Sequence, residues 1–512
     1  MIWLVLVVTV TAAGAELVEI KQGWVKGVRA EDGNYTMYMG IPYALVDKEN
    51  PFGFLFFLSG IFEAVDDTAV CPQRNEFNNE LAGTLDCLHV NVYVPDTITD
   101  KKLPVLVWIY GGAFTIGFAG RYVYGPKFLV RHDVILVTLN YRVGPYGFMC
   151  TGTERVPGNQ GIKDQLLALE WVRDNIQAFG GDVENINVFG QSAGAMSIEI
   201  QLLSTQEKLF KRAILHSGSV ARPGIVIQPN KDTPIKLATR LGYNAENLDD
   251  ALDFLSNEDV LKVINASTSI RTLFRPCYEN SFLQYPLNYH NDQIRSTDIL
   301  IGYTDQETLL FHLHSTTEDL QASDIFNETI NIFNLNTERY ARIMRRFYIG
   351  DEEITESVRW EIINYHSDFT FAYPVHRSVN KFLNNGQNVY HFIFSYSGGR
   401  NFIKVRQNVT EGGAAHTDDL GYLFDMELFD SNPEGTDKIM VDRMTTMWTN
   451  FIKYGTSTSD PTPEPSDLLP VRWLPATRET LHCLHIDSDI TTSIRPDHDR
   501  YALWDLLFKL FE

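Results

Sequence analysis

The tightest constraint on this chain is a five-residue turn. Gly190-Gln191-Ser192-Ala193-Gly194 stands between Asn187-Val188-Phe189, which reads as a short strand, and Ser192 to Leu203, which reads as the helix after it. A chain that passes this sharply from strand to helix brings backbone against backbone. Side chains two positions either side of the serine would clash, and glycine at both places removes them. The plainer alternative is a serine that only caps a helix. The G-x-S-x-G spacing in a strand–turn–helix setting points instead to an exposed nucleophile.

Around that turn, apolar runs alternate with helical spacing. Gly23 to Ala30 and Tyr35 to Met39 flank Glu31-Asp32-Gly33-Asn34 as a strand pair around a turn. Val90 to Val94, Leu103 to Ile109 and Val134 to Thr138 are continuous apolar strands of the kind a sheet covered on both faces uses. Residues 162 to 178 place Leu166, Leu169, Val172 and Ile176 on one helical face, and Gly180-Gly181 ends that helix. Ala213 to Leu215, Ile299 to Gly302 and Asn388 to Phe394 supply further strands. The stretch from 320 to 385 reads as a helical, aromatic cap over a cleft. No repeat, low-complexity tract or long linker interrupts residues 16 to 512. The expectation is one large α/β domain, with a mostly parallel central sheet flanked by helices.

A serine nucleophile needs a base, an acid that orients the base, and donors for the oxyanion. Trp108-Ile109-Tyr110-Gly111-Gly112-Ala113-Phe114 ends a strand in a glycine turn, which nominates the backbone N–H groups of Gly112, Ala113 and Ala193 as donors. The order in this class is serine, acid, histidine. His416 lies in the small-residue loop Glu411-Gly412-Gly413-Ala414-Ala415-His416-Thr417-Asp418-Asp419, and His216 is too near the serine in sequence. For the acid, Glu307 and Asp305 both follow the strand ending at Gly302, and spacing alone does not separate them. The pairs His312/His314 and His482/His485 have ligand-like spacing without a convergent Cys or carboxylate set, so no metal site is read there. The chemistry requires no metal or redox cofactor.

The net charge of −22, from 43 Lys and Arg against 65 Asp and Glu, speaks against a nucleic-acid partner. The apolar run from Met1 to Val10, followed by Ala13-Gly14-Ala15, reads as a signal peptide covering residues 1–15, too short for a membrane anchor. Sequons at Asn34, Asn265, Asn327 and Asn408 agree with a secreted glycoprotein.

Several further segments resemble one family. Asp86-Cys87-Leu88-His89-Val90-Asn91-Val92-Tyr93 is similar to the EDCLYLNVY signature of the type-B carboxylesterases, and Asn140 to Phe148 matches their NYRxGPxGF segment. Gly158-Asn159-Gln160-Gly161 and Phe179-Gly180-Gly181-Asp182 lead into the serine as they do in that family. The resemblance spans nearly the whole chain. It implies an α/β-hydrolase fold and Ser192, Glu307 and His416 as a triad, thereby preferring Glu307 over Asp305. It also implies the oxyanion donors named above, hydrolysis of a small-molecule ester, and a disulfide between Cys71 and Cys87. By this comparison Cys150, Cys277 and Cys483 have no partners and read as buried thiols. Gly144 to Cys150 and Ala415 to Leu420 look most like secreted esterases of moths and butterflies.

Two departures stand out. Gln191 occupies the place where relatives commonly carry Glu, a form also seen in juvenile hormone esterases, which makes that hormone a candidate substrate beside odorant, pheromone and xenobiotic esters. Pro51 and Leu85 replace an Arg and a Glu that pair in relatives, and losing both charges avoids stranding one. The segment from Phe52 to Phe57 is unusually apolar. A non-catalytic adhesion protein of the neuroligin type is the other class of reading; such members lose triad residues, and here every position is filled.

Overall fold

The computed structural model describes residues 16–46, 61–270, 272–333, 337–430, 432–453 and 460–511. The signal-peptide reading and the apolar 51–60 segment therefore lie outside the described residues. An 11-stranded mixed sheet dominates. In chain order its strands are β1 (Val28–Arg29), β2 (Tyr35–Pro42), β3 (His89–Pro95), β4 (Leu103–Ile109), β5 (Ile135–Leu139), β6 (Gly181–Gln191), β7 (Arg212–His216), β8 (Asp298–Thr304), β9 (Val389–Phe394), β10 (His482–Ile486) and β11 (Thr491–Ile494). Across the sheet they run β11-β10-β9-β8-β7-β6-β4-β5-β3-β2-β1. From β5 through β10 all neighbours are parallel, while β11 on one edge and β3, β2 and β1 on the other are antiparallel.

Strands β5 and β7 are buried at every residue, as a sheet with helices on both faces demands. The helices that matter for the site are α1 (Gln160–Asn175), α2 (Ala193–Leu203), α3 (Arg359–Ser367), α4 (Tyr373–Asn384) and α5 (Gly435–Lys453). A hydrophobic core cluster reaches from Ile20 to Phe508. This is the α/β-hydrolase architecture expected from the sequence. α1 begins two residues before the expected start, and a 3-10 turn over Ile176–Phe179 carries it to Gly180, whose φ of 85° provides the left-handed stop. Between α3 and α4, residues Asp368–Ala372 form a π-helical turn.

The first strand pair differs from expectation. Gly23–Lys26 joins Leu17–Ile20 and Ile61–Glu63 in a separate three-stranded sheet, and only β1 pairs with β2. The change of partner falls at Gly27, where a Cβ would come within 2.6 Å of the Met37 carbonyl oxygen. A side chain there would push the two segments apart. Leu85 packs half-buried against the core, where a Glu would have needed a partner.

Two disulfides are present. Cys71–Cys87 closes a 16-residue separation, as the family resemblance implied. Cys150–Cys277, 127 residues apart, overturns the reading of both as unpaired thiols. The contact is tertiary, so spacing did not reveal it. Asn159 accepts from the Cys277 N–H at 2.9 Å and donates to its carbonyl at 3.0 Å, drawing the distant segment alongside. At Gly158, with φ of 112°, a Cβ would lie 2.4 Å from the Cys277 sulfur. Cys483 is a buried thiol whose pKa burial pushes well up, which keeps it unreactive.

Candidate active site

Ser192 sits at the end of β6 with φ 56° and ψ −123°, outside the regions an L-residue ordinarily adopts. Its neighbours explain how the turn closes. A Cβ on Gly190 would lie 2.5 Å from the Gly194 carbonyl carbon, and one on Gly194 would lie 2.0 Å from the Ile109 oxygen. The Ser192 N–H donates to the His216 carbonyl at 2.8 Å, so the strained residue is anchored to the end of β7. Gly218 then packs so closely that a Cβ would meet the Ser192 carbonyl oxygen at 2.2 Å.

The loop after β8 brings Glu307 beneath His416. Glu307 is buried; one carboxylate oxygen accepts from the Thr304 N–H at 2.9 Å and the other lies 2.5 Å from His416 Nδ1. A carboxylate accepts only from a protonated nitrogen, so Nδ1 carries the hydrogen and Nε2 keeps its lone pair. Phe371, from the π-helical turn, stacks on the imidazole at 4.3 Å.

Asp305, the local competitor, has a different place. Its Oδ1 accepts from the Ala414 N–H at 2.7 Å, while Gln306 accepts from Gly413 at 2.7 Å. Lys404 Nζ donates to the Gly412 and Gly413 carbonyls, and Asp418 accepts from Ala415 at 2.7 Å. These bonds strap the loop that presents His416. Burial lifts the Asp305 pKa to about 7 despite the Ala414 bond, which lowers it.

Gln191 Nε2 lies 3.2 Å from His416 Nε2, and no hydrogen bond among the described residues joins Ser192 Oγ to that ring. The amide donates to the lone pair that a base would offer to the serine. Resting enzymes often hold such bonds long or unformed until substrate arrives.

Across the cleft, Gly112 (φ 116°), Ala113 (φ 52°) and Phe114 (φ 63°) form a run of left-handed residues after β4. The Gly112 carbonyl accepts from Thr115 and Ile116, which turns the loop back on itself. The N–H groups of Gly112, Ala113 and Ala193 donate to no acceptor among the described residues. Gln73, two residues past the first disulfide cysteine, clamps this loop: its amide donates to the Gly117 carbonyl and accepts from the Gly117 N–H, both at 2.7 Å.

Other candidates fall elsewhere. His312 Nε2 faces His366 Nδ1 at 2.7 Å, and His485 faces Ser493 at 2.6 Å. Among the described residues there is no group of three or more His, Cys, Asp or Glu side chains set to hold a metal. His216 is buried, with Nδ1 against Asp419 and Nε2 accepting from the Trp448 indole at 2.9 Å. Asn34, Asn265 and Asn408 are exposed; the Asn327 amide is half-buried and donates to both oxygens of Asp324. Sequence reasoning missed Gln73, Phe371 and the His216–Asp419–Trp448 cluster. None has a local signature, because each acts on a partner dozens to hundreds of residues away.

A carboxylesterase family model matches residues 14–504. Bile salt-activated lipase of Rattus norvegicus is 29% identical, over 98% of this chain and 86% of its own length. Juvenile hormone esterase of Tribolium castaneum is 31% identical over 86% of this chain and 83% of its own. Esterase-5A of Drosophila pseudoobscura pseudoobscura is 29% identical, covering 84% and 86%. With a strained serine turn, a carboxylate-held histidine and a match across almost its whole length, the chain belongs to the carboxylesterase family of α/β-hydrolase enzymes.

Proposed function

We propose that this chain is a secreted serine esterase that hydrolyses small, mostly apolar carboxylic esters through an acyl-enzyme on Ser192. The observation that carries the reading is the Glu307–His416 pair at 2.5 Å, beside a serine held at φ 56°. When substrate enters, His416 Nε2 exchanges the Gln191 amide for the Ser192 hydroxyl and takes its proton. Ser192 Oγ attacks the ester carbonyl, and the developing oxyanion is met by the N–H groups of Gly112, Ala113 and Ala193. Glu307 stabilises the imidazolium, which returns its proton to the departing alcohol. Water then attacks the acyl-enzyme with the same base, releasing the acid and restoring Ser192.

In this reading residues 1–15 are removed and residues 16–512 act as one domain, with glycans on the exposed sequons. Two disulfides support an oxidising compartment, and no helix of the described residues is long and apolar enough to cross a membrane. The likeness to moth and butterfly esterases belongs to the same proposal. Juvenile hormone is the second substrate reading, favoured by Gln191 and by the Tribolium castaneum relative.

The test is a substrate panel on purified protein: long-chain alkyl acetates, juvenile hormone and a chromogenic short ester. Turnover by the wild type and loss with Ser192→Ala is the expected result. Retained turnover in that variant, free of contaminating hydrolase, overturns the mechanism. A folded wild type that turns over nothing favours the adhesion-type reading. Efficient turnover of juvenile hormone alone replaces the broader assignment.

A further inference from the structure

Three segments that carry the reacting groups converge on one unneutralised arginine. The chain leaving β7 packs Gly218 against the Ser192 carbonyl and reaches Arg222 four residues later. The loop after β8 passes from Glu307 to His312, which faces His366 on α3. Thr308, next to Glu307, bonds Ser367 and the Ile363 carbonyl and so fixes this loop to α3. The π-helical turn sends Phe371 onto His416 and Phe369 beneath Arg222, whose guanidinium carbon lies 5.6 Å from the ring centroid.

Among the described residues Arg222 has no counter-ion. Its Nε is buried and has no hydrogen-bond partner, while the residue as a whole is half-buried and its terminal nitrogens stay open to a ligand. The charge that acts on it is another cation, Arg275, which spends one N–H on the Gly224 carbonyl at 2.7 Å. Burial, reinforced by Arg275, draws the Arg222 pKa down to about 10, which leaves it charged at neutral pH. The same surroundings keep His366 neutral: burial, with His312 and Arg222 beside it, pulls its pKa to about 3. An unpaired buried donor is costly, and a bound anion would satisfy it.

We infer that Arg222 is a specificity-determining residue that receives an anionic group of the substrate. The preferred ester is then mostly apolar, with one carboxylate or similar anion on its acyl or alcohol arm. The guanidinium offers a planar fork of N–H donors suited to such a group, and the Phe369 face holds that fork in place. The inference rests on the ester-hydrolase reading above and narrows its substrate class.

Two matched pairs of esters test it on the full-length protein. The 4-nitrophenyl monoester of glutaric acid against 4-nitrophenyl pentanoate places the charge on the acyl arm. The acetate ester of 4-hydroxybutanoate against butyl acetate places it on the alcohol arm. In one pair, Arg222→Met should lower the ratio of kcat/KM for the anionic ester over its neutral partner by about 10- to 100-fold. The loss should fall on KM rather than kcat, and Arg222→Lys should recover part of it. A merely structural arginine would depress both members of each pair alike; that result, or an unchanged ratio in both pairs, overturns the inference while leaving the esterase reading intact. Glutarate binding to the Ser192→Ala protein, measured by calorimetry, separates the two claims. Saturable binding that disappears when Arg222→Met is added supports the anion site even if no ester is turned over, and no binding to the Ser192→Ala protein counts against it.

Discussion

Among the described residues two imidazoles meet a carboxylate through Nδ1, and only one of them lies beside the strained serine turn. His416 meets Glu307, and His216 meets Asp419, in each case through Nδ1. Both rings therefore carry the same tautomer, with the lone pair on Nε2. The difference is what faces that lone pair. At His216 the Trp448 indole donates to it at 2.9 Å, and the rings of Phe189, Phe392 and Trp448 enclose an imidazole with no exposure. At His416 an amide side chain, Gln191, stands 3.2 Å away, Phe371 stacks on the ring, and 19% of the side chain is open. A carboxylate–imidazole pair is thus not in itself a catalytic signature. A side-chain amide on Nε2, partial exposure and a place beside the strained serine make the distinction.

Exchanging the roles should break this contrast most visibly. His416→Gln should cut kcat by about 10^4- to 10^6-fold with the unfolding midpoint nearly kept. His216→Gln should do the reverse, losing stability while the folded fraction turns over ester. Parallel kinetics and thermal melts read both, and a stable, inactive His216→Gln protein would contradict the assignment. The acids give the next effect. Glu307→Gln should cost about 10^4-fold by removing the partner that sets the tautomer, whereas Asp419→Asn should change kcat only a few-fold and stability by about 1–3 kcal/mol.

A subtler change sharpens the Nε2 argument. Gln191→Glu places a carboxylate against the ring, favours imidazolium, and should move the acid limb of kcat/KM upward by about one pH unit or more. An unmoved limb in a fully folded variant would show that Gln191 does not face the working lone pair. The smallest effect concerns a third imidazole. Burial holds His376 at about 3, so the folded state resists a proton that the unfolded chain takes up near 6.5. Its stabilising contribution is complete above that value and declines as pH falls towards 3. The stability deficit of His376→Asn relative to wild type should shrink between pH 7 and pH 5 in urea titrations.

The serine turn and its flanking strand and helix were legible because they are local: two glycines, an apolar run and helical spacing within about twenty residues. The glycine turn after β4 was legible for the same reason. Spacing could not choose Glu307 over Asp305, since both follow β8; the choice lies in which carboxylate meets the imidazole and which grips the backbone at Ala414. The family resemblance made the choice before the geometry did. The Gly23–Ala30 strand split at Gly27 because its two halves pair in different sheets, Gly23–Lys26 with Leu17–Ile20 and Ile61–Glu63, and Val28–Arg29 with Tyr35–Pro42. Phe371 stayed hidden because a π-helical turn shifts which side chains share a face, and the period used to read helices assumes none.

The second disulfide has a consequence for how this protein comes to be made. Cys150 leaves the ribosome long before Cys277, and the whole serine turn is synthesised in the interval. Throughout that time Cys150 is a reactive thiol in a chain that already contains Cys71 and Cys87, which can pair at once across 16 residues. Closing the short loop takes the two nearer cysteines out of competition for Cys150. The later bond closes a loop of sequence that contains the whole serine turn, so a single covalent tie spans the segment on which the candidate nucleophile sits.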